Sequence, residues 1–259
     1  MEVVINNLVF GYDNLLFDNF NLTIHNNTFT SILGKNGCGM TSLVKILIDE
    51  VKYSGQIKYD NLIMNEDNKE KIMGKISVIT NYNDMFIYED VYNDLVFSLE
   101  KSGYASSIID DTISDLLKDL NLEYLIYKKN NELSESEKEL VMLLCMIVNK
   151  PNLLILDNSL NNIEYNIKTK IINYLRNQEL TVINITNNVE DILLSDEIVI
   201  IDDKKCISYN NINKLNEEIL NKNNLKLPFM IDLSNKLKYY DLIDKIYIDK
   251  KELVDEVWK

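Results

Sequence analysis

The sequence predicts an α/β domain that carries a helical insertion and a small C-terminal appendage. Three observations support this fold class. Short β-rich segments fill the first third of the chain, a helical pattern runs from about residue 84 to 150, and apolar strands then alternate with helices. Apolar strands that alternate with helices favour a parallel sheet covered on both faces.

Each element can be assigned in chain order. VVINNLVF, FDNFNLTI and FTSIL read as strands, TSLVKILIDE as a helix, and KISVI (75–79) as a buried strand. In the insertion, IIDDTISDLLKDL reads as a helix whose apolar face consists of Ile109, Ile113, Leu116, Leu117 and Leu120. A second helix starts near Ser134. The strands LLIL (153–156), TVINI (181–185) and EIVII (197–201) then alternate with the helical segments IKTKIINYL and NVEDILL.

Composition excludes several function classes. The 259 residues are 46% hydrophobic, which allows one large domain, or a domain with an appendage. A net charge of −14 argues against broad capture of nucleic acid and against a polybasic membrane anchor. The three cysteines are scattered, so we expect a reducing cytoplasm without disulfides or a cysteine metal site. No signal peptide is expected, and the longest apolar run, 140–148, is far below the ~20 residues that span a bilayer.

The stretch LGKNGCGMTSL, residues 33–43, has the spacing of a phosphate-binding loop. A strand leads into a glycine turn and a helix opens at Thr41, so that backbone N–H groups converge on an anion. The spacing matches G-x-x-x-x-G-K-[ST], except that Met40 replaces the lysine. Lys35 is expected to point outward and is no substitute. A glycine turn without a ligand is the alternative. The predicted nucleotide-binding residues in the loop are Gly34, Asn36, Gly37, Cys38, Gly39, Met40, Thr41 and Ser42.

A carboxylate that could serve such a loop ends the apolar strand Leu153 to Asp157. Asp157 beside the Thr41 hydroxyl would hold Mg²⁺, directly or through water. Thr41 and Asp157 are therefore the predicted metal residues.

With these motifs in this order, the chain resembles the ATP-binding subunit of an ABC transporter from Val3 to its C-terminus. The resemblance implies a P-loop NTPase (RecA-like) core with an N-terminal antiparallel β subdomain, a helical insertion and a C-terminal extension. It divides the chain into an ATP-binding domain, 1–214, and an extension, 215–259, with dimerisation as the candidate role. The tail segments NLKLPFMIDLSNKL and KELVDEVWK and the stretch DVYNDLVFSLEKSG resemble energy-coupling factor (ECF) ATPases, which drive vitamin and metal uptake.

The resemblance also assigns residues to roles. Tyr12 matches the aromatic residue that stacks on adenine, and TVINITNN matches the segment that ends in the switch histidine. The signature LSGGQ falls on Leu133 and the four residues after it, Ser134, Glu135, Ser136 and Glu137. Ser134 with Glu137 is also a capping box, S-x-x-E, which needs no nucleotide.

Several catalytic positions depart from the family pattern. Thr80 stands where the Q-loop has glutamine, Asn158 where the catalytic glutamate follows Asp157, and Asn187 where the switch histidine is usual. The D-loop carries Glu164 instead of aspartate. An amide can bond a water but cannot take its proton. We therefore predict that this chain's own site is weak or inactive in hydrolysis.

The resemblance then implies a partner-dependent function. The expected protein is a degenerate ATP-binding subunit of an ECF-type importer for vitamins or metal ions, with ATP and Mg²⁺ weakly bound. Its expected partners are a second ATPase subunit, with a heterodimer favoured over a homodimer, and a transmembrane coupling subunit; no nucleic acid is expected. It would sit at the cytoplasmic face of the membrane as a peripheral subunit. The alternatives are a working ATPase despite the motif losses and a nucleotide-independent scaffold or regulatory protein.

Overall fold

The structure, a computed structural model, describes residues 1–80, 86–210, 212 and 217–258. The predicted start of the insertion near residue 84 and the boundary between residues 214 and 215 lie outside these ranges. The strands are β1 (Val3–Gly11), β2 (Leu15–Ile24), β3 (Phe29–Gly34), β4 (Ser54–Tyr59), β5 (Leu62–Ile63), β6 (Ile76–Ile79), β7 (Leu153–Asp157), β8 (Thr181–Ile185), β9 (Glu197–Asp202) and β10 (Lys205–Tyr209). The α-helices are α1 (Met40–Leu47), α2 (Glu66–Met73), α3 (Val91–Lys101), α4 (Ser106–Leu120), α5 (Glu135–Ile147), α6 (Tyr165–Asn177), α7 (Glu217–Lys222), α8 (Phe229–Tyr239) and α9 (Lys250–Val257).

The strands form two sheets. The N-terminal sheet is antiparallel, in the order β2-β1-β4-β5. The central sheet has the order β10-β9-β3-β8-β7-β6. Its strands run parallel from β9 to β6, as the apolar strands predicted, whereas β10 pairs antiparallel with β9. The sequence did not predict this edge strand.

Helix α1 lies between the two sheets. Its buried residues Leu43, Val44, Ile46 and Leu47 join one apolar cluster with side chains from both sheets. The other face of the central sheet packs against α3 to α6 in a second cluster. The predicted apolar face of α4 is confirmed, because its five residues are at most 3% exposed. The central sheet is thus covered on both faces, and its carboxyl edge carries the phosphate-type loop.

The segment NVEDILL differs from the predicted alternation. Residues Val189–Leu194 form a 3-10 helix rather than an α-helix. The Asn188 side chain accepts the Glu190 N–H at 3.1 Å, and the Asp191 carboxylate is drawn into buried contacts with other elements. These local polar bonds compete with regular α-helical bonding.

The C-terminal region packs in two places. Leu220 and Leu225 join a cluster with Leu33 and strand β9, whereas Ile243, Tyr247 and Leu253 form a small cluster with α8. The division at residue 215 stays a prediction. Across the described ranges, no helix is both long and apolar enough to span a membrane.

Candidate nucleotide-binding site

The glycine loop has the strand–turn–helix geometry that the sequence predicts. Strand β3 ends at Gly34, and Gly39 caps α1 in the left-handed region with φ 103°. Gly37 has φ 81°, which is also unfavourable for other residues. A Cβ at Gly39 would lie 2.8 Å from the Phe17 ring, so both conformation and space require glycine there. The backbone of such a turn, at the start of a helix, favours an anion.

The loop does not provide a cation in place of Met40. Met40 and Cys38 are partly buried and pack against the cluster between the sheets, and burial raises the pKa of the Cys38 thiol. Lys35 is exposed. The pKa of the Asp202 carboxyl is lowered mainly by its hydrogen bond with Lys222, and the charge of Lys35 makes only a minor contribution there and at the Cys38 thiol. The loop therefore combines a phosphate-type backbone with an apolar side chain at the lysine position.

A pocket of about 370 Å³ adjoins the loop at the carboxyl ends of β6 and β7. Its lining brings together four predicted site residues, Thr41, Thr80, Asp157 and Asn158. Asp157 is 4% exposed, and its burial raises the carboxyl pKa. Hydrogen bonds with Thr41 and Asn158 act in the opposite direction, because they favour the ionised form.

Asn158 connects two elements of this pocket. Its side-chain amide donates to Asp157 Oδ1 at 3.2 Å, and its Oδ1 accepts the Asn187 N–H at 3.1 Å. Its own N–H donates to the Ile185 carbonyl at 2.8 Å, and its φ is 53°. Asparagine tolerates this left-handed conformation better than most residues. An amide can donate to one neighbour and accept from the other at once, so one side chain links the carboxylate to the switch segment.

A buried ion pair stabilises the predicted switch segment, residues 186–188. Lys168 Nζ lies 2.7 Å from Asp191 Oδ1, and the two side chains are 6% and 2% exposed. The Asp191 carboxylate also accepts from Thr186 Oγ1 at 2.9 Å and from Asn188 Nδ2 at 3.4 Å. These bonds hold both neighbours of Asn187, which itself is exposed. The sequence reasoning missed this pair, although a lysine on an apolar helix face was a signal that it needed a partner.

The predicted signature segment forms the capping box of α5. Ser134 Oγ accepts the Glu137 N–H at 3.3 Å, and Glu137 Oε2 accepts the Ser134 N–H at 3.0 Å. Lys128 contacts Glu137 at 2.7 Å, and this bond contributes most to the lowered pKa of that carboxyl. Lys138 pairs with Glu135 at 2.7 Å. The acidic replacements in the segment are thus paired with lysines.

Tyr12 and the signature segment do not line the pocket beside Thr41. The Tyr12 side chain is 63% exposed, and its ring contacts Phe10 edge-to-face at 5.1 Å between centroids. Glu164, at the D-loop position, is the N-terminal cap residue of α6 but makes no side-chain cap bond.

The metal prediction rests on two oxygen donors. Within the described ranges, no cluster of three or more His, Cys, Asp or Glu residues could hold a metal ion. The Thr41 hydroxyl and the Asp157 carboxylate line the same pocket and are hard ligands of the type that suits Mg²⁺. They fit an ion held jointly with phosphate oxygens, because Mg²⁺ in such sites takes few protein ligands.

Residues 17–161 match the family described as ABC transporter. The chain belongs to this family. An ECF transporter ATP-binding protein EcfA from Pediococcus pentosaceus is 28% identical, over 90% of this chain and 88% of that protein. One from Onion yellows phytoplasma is 30% identical, over 93% of this chain and 89% of that protein. Among solved structures, CbiO1 of Clostridium perfringens, part of the ABC transporter complex CbiONQ, superposes with a TM-score of 0.71 at 23% identity, covering 80% and 88% of the two chains.

These similarities confirm the resemblance to ECF-type ABC transporter subunits and the predicted α/β fold class. The antiparallel N-terminal sheet and the helical insertion accompany a central parallel sheet, as in an ABC transporter cassette. The predicted roles of the individual site residues stay predictions, and so does the degeneracy of the site.

Proposed function

We propose that this chain is an ATP-binding subunit of an ECF-type importer for micronutrients, whose own site binds MgATP weakly and hydrolyses it poorly. It pairs with a second, catalytically intact ATPase subunit. The pair sits at the cytoplasmic face of the membrane and transmits closure to a transmembrane coupling subunit. Hydrolysis comes from the partner.

The contact pattern of Asn158 carries this proposal. In the family, a glutamate at this position orients or deprotonates the attacking water. Here an amide occupies the position, and it is held by Asp157 on one side and by the Asn187 N–H on the other. It has no basic atom that could accept a proton from water. Loss of a positioned general base typically costs about 10²–10⁴-fold in rate.

Other substitutions act on the same step. Met40 removes a charge that would stabilise the transferring phosphoryl group, a contribution of about 3 kcal/mol in comparable sites. Asn187 lacks the imidazole of the switch histidine, and Thr80 is shorter than the usual glutamine. Such losses are not additive within one site, but together they reduce turnover to near background.

Binding residues survive better than catalytic ones. The glycine turn supplies backbone N–H groups, and Thr41 and Asp157 supply oxygen ligands for Mg²⁺, which when bound neutralises phosphate charge. Burial raises the pKa of the Asp157 carboxyl, and its hydrogen bonds with Thr41 and Asn158 act in the opposite direction because they favour the ionised form. Asn158 is therefore also a positioning residue, since it holds that carboxylate in place.

A second groove suits the membrane partner. A cavity of about 580 Å³ lies between β6, α3 and α5, beside the helical insertion. Phe86, Phe97, Met142 and Met146 provide its apolar surface, and Lys101 lies on its rim. Flexible methionines and aromatic rings are well suited to receive a helix from another subunit.

The test of the proposal is reconstitution with the ATPase and membrane subunits that a pull-down with this chain identifies. Asp157→Ala in this chain should weaken MgATP binding but leave most of the turnover of the pair. Complete loss of turnover would instead identify this chain as a working ATPase. A wild-type chain that binds no MgATP, with Thr41→Val leaving partner binding unchanged, would identify a nucleotide-independent scaffold.

The groove has its own test. Phe97→Asp should release the pair from the membrane subunit, because it places a charge in an apolar contact. Tyr127→Asp is the matched control, since Tyr127 is 91% exposed and lies outside the groove. Equal effects of the two changes would contradict docking at this groove.

A further inference from the structure

The pocket beside the glycine loop contains a cation that the loop does not supply. Met40 is uncharged and packs against apolar side chains, and Lys35 is exposed and does not line the pocket. Lys45, on helix α1, lines the pocket together with Thr41 and Asp157. Among the described residues, Lys45 is the one lysine that lines this pocket.

The position of Lys45 on the helix directs it toward the loop. Residues four apart on a helix share one face, so Lys45 lies one turn beyond Thr41 on the same side of α1. Helical side chains tilt toward the N-terminus and cover the preceding turn. The long Lys45 side chain therefore extends over the surface beside Thr41, where the phosphates of a bound nucleotide would lie.

The Lys45 ammonium group is also available. Among the residues that the structure describes, it makes no hydrogen bond and no ion pair. Two other lysines of reduced exposure are engaged: Lys69 contacts Asp49 at 2.7 Å and Lys168 contacts Asp191 at 2.7 Å. Lys45 is half-buried, and no carboxylate of the described residues, Asp157 and Glu50 of the same pocket included, forms an ion pair with it.

We infer that Lys45 supplies the side-chain cation for the polyphosphate of the bound nucleotide, in place of the lysine missing at Met40. This inference rests on the proposed function, because it needs a site that holds MgATP. The ammonium group is a compact charge on a flexible stem, so it can reach phosphate oxygens from the next helical turn. The backbone of the glycine turn then positions the phosphates, and Lys45 supplies charge from the pocket side.

Calorimetric titration with MgATP and MgADP tests the inference on the full-length chain. Lys45→Met should weaken MgATP binding by about tenfold or more, the usual effect of losing a hydrogen bond to a charged group. It should weaken MgADP binding less, because fewer phosphate charges are present. Lys45→Arg should retain most of the affinity. Lys52→Met is the control, because Lys52 is exposed and lies outside this pocket; its effect should stay below about twofold.

A double-mutant cycle with Met40→Lys makes the test specific. If Lys45 replaces the missing lysine, Lys45→Met should cost much less affinity in the Met40→Lys background than in the wild type. Equal costs in the two backgrounds would overturn the inference. Wild-type binding that Lys45→Met leaves unchanged would overturn it and leave the proposed function standing. No wild-type binding at all would overturn both.

Discussion

Asn158→Glu introduces the residue that the family resemblance implies at this position, yet the structure predicts that this change destabilises the protein. The wild-type amide donates to Asp157 and accepts from the Asn187 N–H. A carboxylate can keep only the second bond, because it has no donor. It would also place a second negative charge beside the buried Asp157 carboxylate.

Two contributions set the magnitude. The left-handed conformation of Asn158, φ 53°, costs most other residues about 1–2 kcal/mol. Loss of the hydrogen bond to a charged, buried acceptor costs about 1.5–3 kcal/mol more. Repulsion between the carboxylates adds to this, but protonation of one of them limits it. We expect Asn158→Glu to lower the free energy of unfolding by about 3–5 kcal/mol, or roughly 6–15 °C in Tm.

The loss of stability caused by Asn158→Glu should depend on pH. Burial already raises the pKa of Asp157 above 3.8, and a second carboxylate would raise it further. A carboxyl whose pKa is higher in the folded than in the unfolded protein binds its proton more tightly in the folded state. Its contribution to the free energy of unfolding therefore decreases as the pH rises through that pKa. The stability difference between Asn158→Glu and the wild type should therefore be smaller near pH 5 than near pH 8, within the range where carboxyls of raised pKa titrate.

Chemical denaturation at several pH values measures both effects. Asn161→Glu is the matched control. Asn161 is exposed, and its replacement introduces the same charge three residues later in the chain. It should change the free energy of unfolding by less than about 0.5 kcal/mol. An Asn158→Glu protein as stable as the wild type at pH 8 would refute the view that the amide is required between Asp157 and the switch segment.

Three further predictions concern the pocket, the buried ion pair behind Asn187 and the cap of α5. Met40→Lys combined with Asn158→Glu should leave hydrolysis far below that of an intact family member, since the glutamine and histidine positions remain unfilled; full recovery in a phosphate-release assay would sink the idea that the losses are distributed. Lys168→Ala should destabilise the protein by about 3–5 kcal/mol because it leaves a buried carboxylate unpaired, whereas Lys170→Ala, on the exposed side of α6, should be nearly neutral in urea unfolding. Ser134→Ala should cost about 1 kcal/mol through loss of the α5 cap, and a thermal shift of zero would show that the capping box adds no stability.

The sequence predicted those elements well that depend on interactions between residues close together in the chain. The apolar face of α4 and the capping box at Ser134 both follow from residues three or four apart, and both are present. The glycine turn was predictable because a left-handed backbone and close packing against Phe17 restrict the residue type.

The contacts that define the site depend on strand order. Strands β7 and β8 are parallel neighbours with Asp157 opposite Ile185, so the residues that follow them meet at the carboxyl edge. That register brings Asn158 to Asn187, although the two are far apart in sequence. The Lys168–Asp191 pair arises in the same way, between α6 and the segment after β8. Periodicity contains no information on such pairings.

The antiparallel edge strand β10 and the 3-10 helix at Val189–Leu194 had weak local signals. The strand KCISY is short and mixed in polarity, and it is stabilised by pairing with β9. The 3-10 helix results from side-chain bonds to Asn188 and Asp191 that compete with α-helical bonding.

The central claim is that this chain binds MgATP at the glycine loop and does not turn it over. The most direct measurement is a calorimetric titration of the purified full-length chain with MgATP, with phosphate release followed in the same sample. The account predicts saturable binding that Thr41→Val weakens, without phosphate release above background. Phosphate release that Asp157→Ala abolishes would contradict it, because the site would then hydrolyse ATP without the missing base.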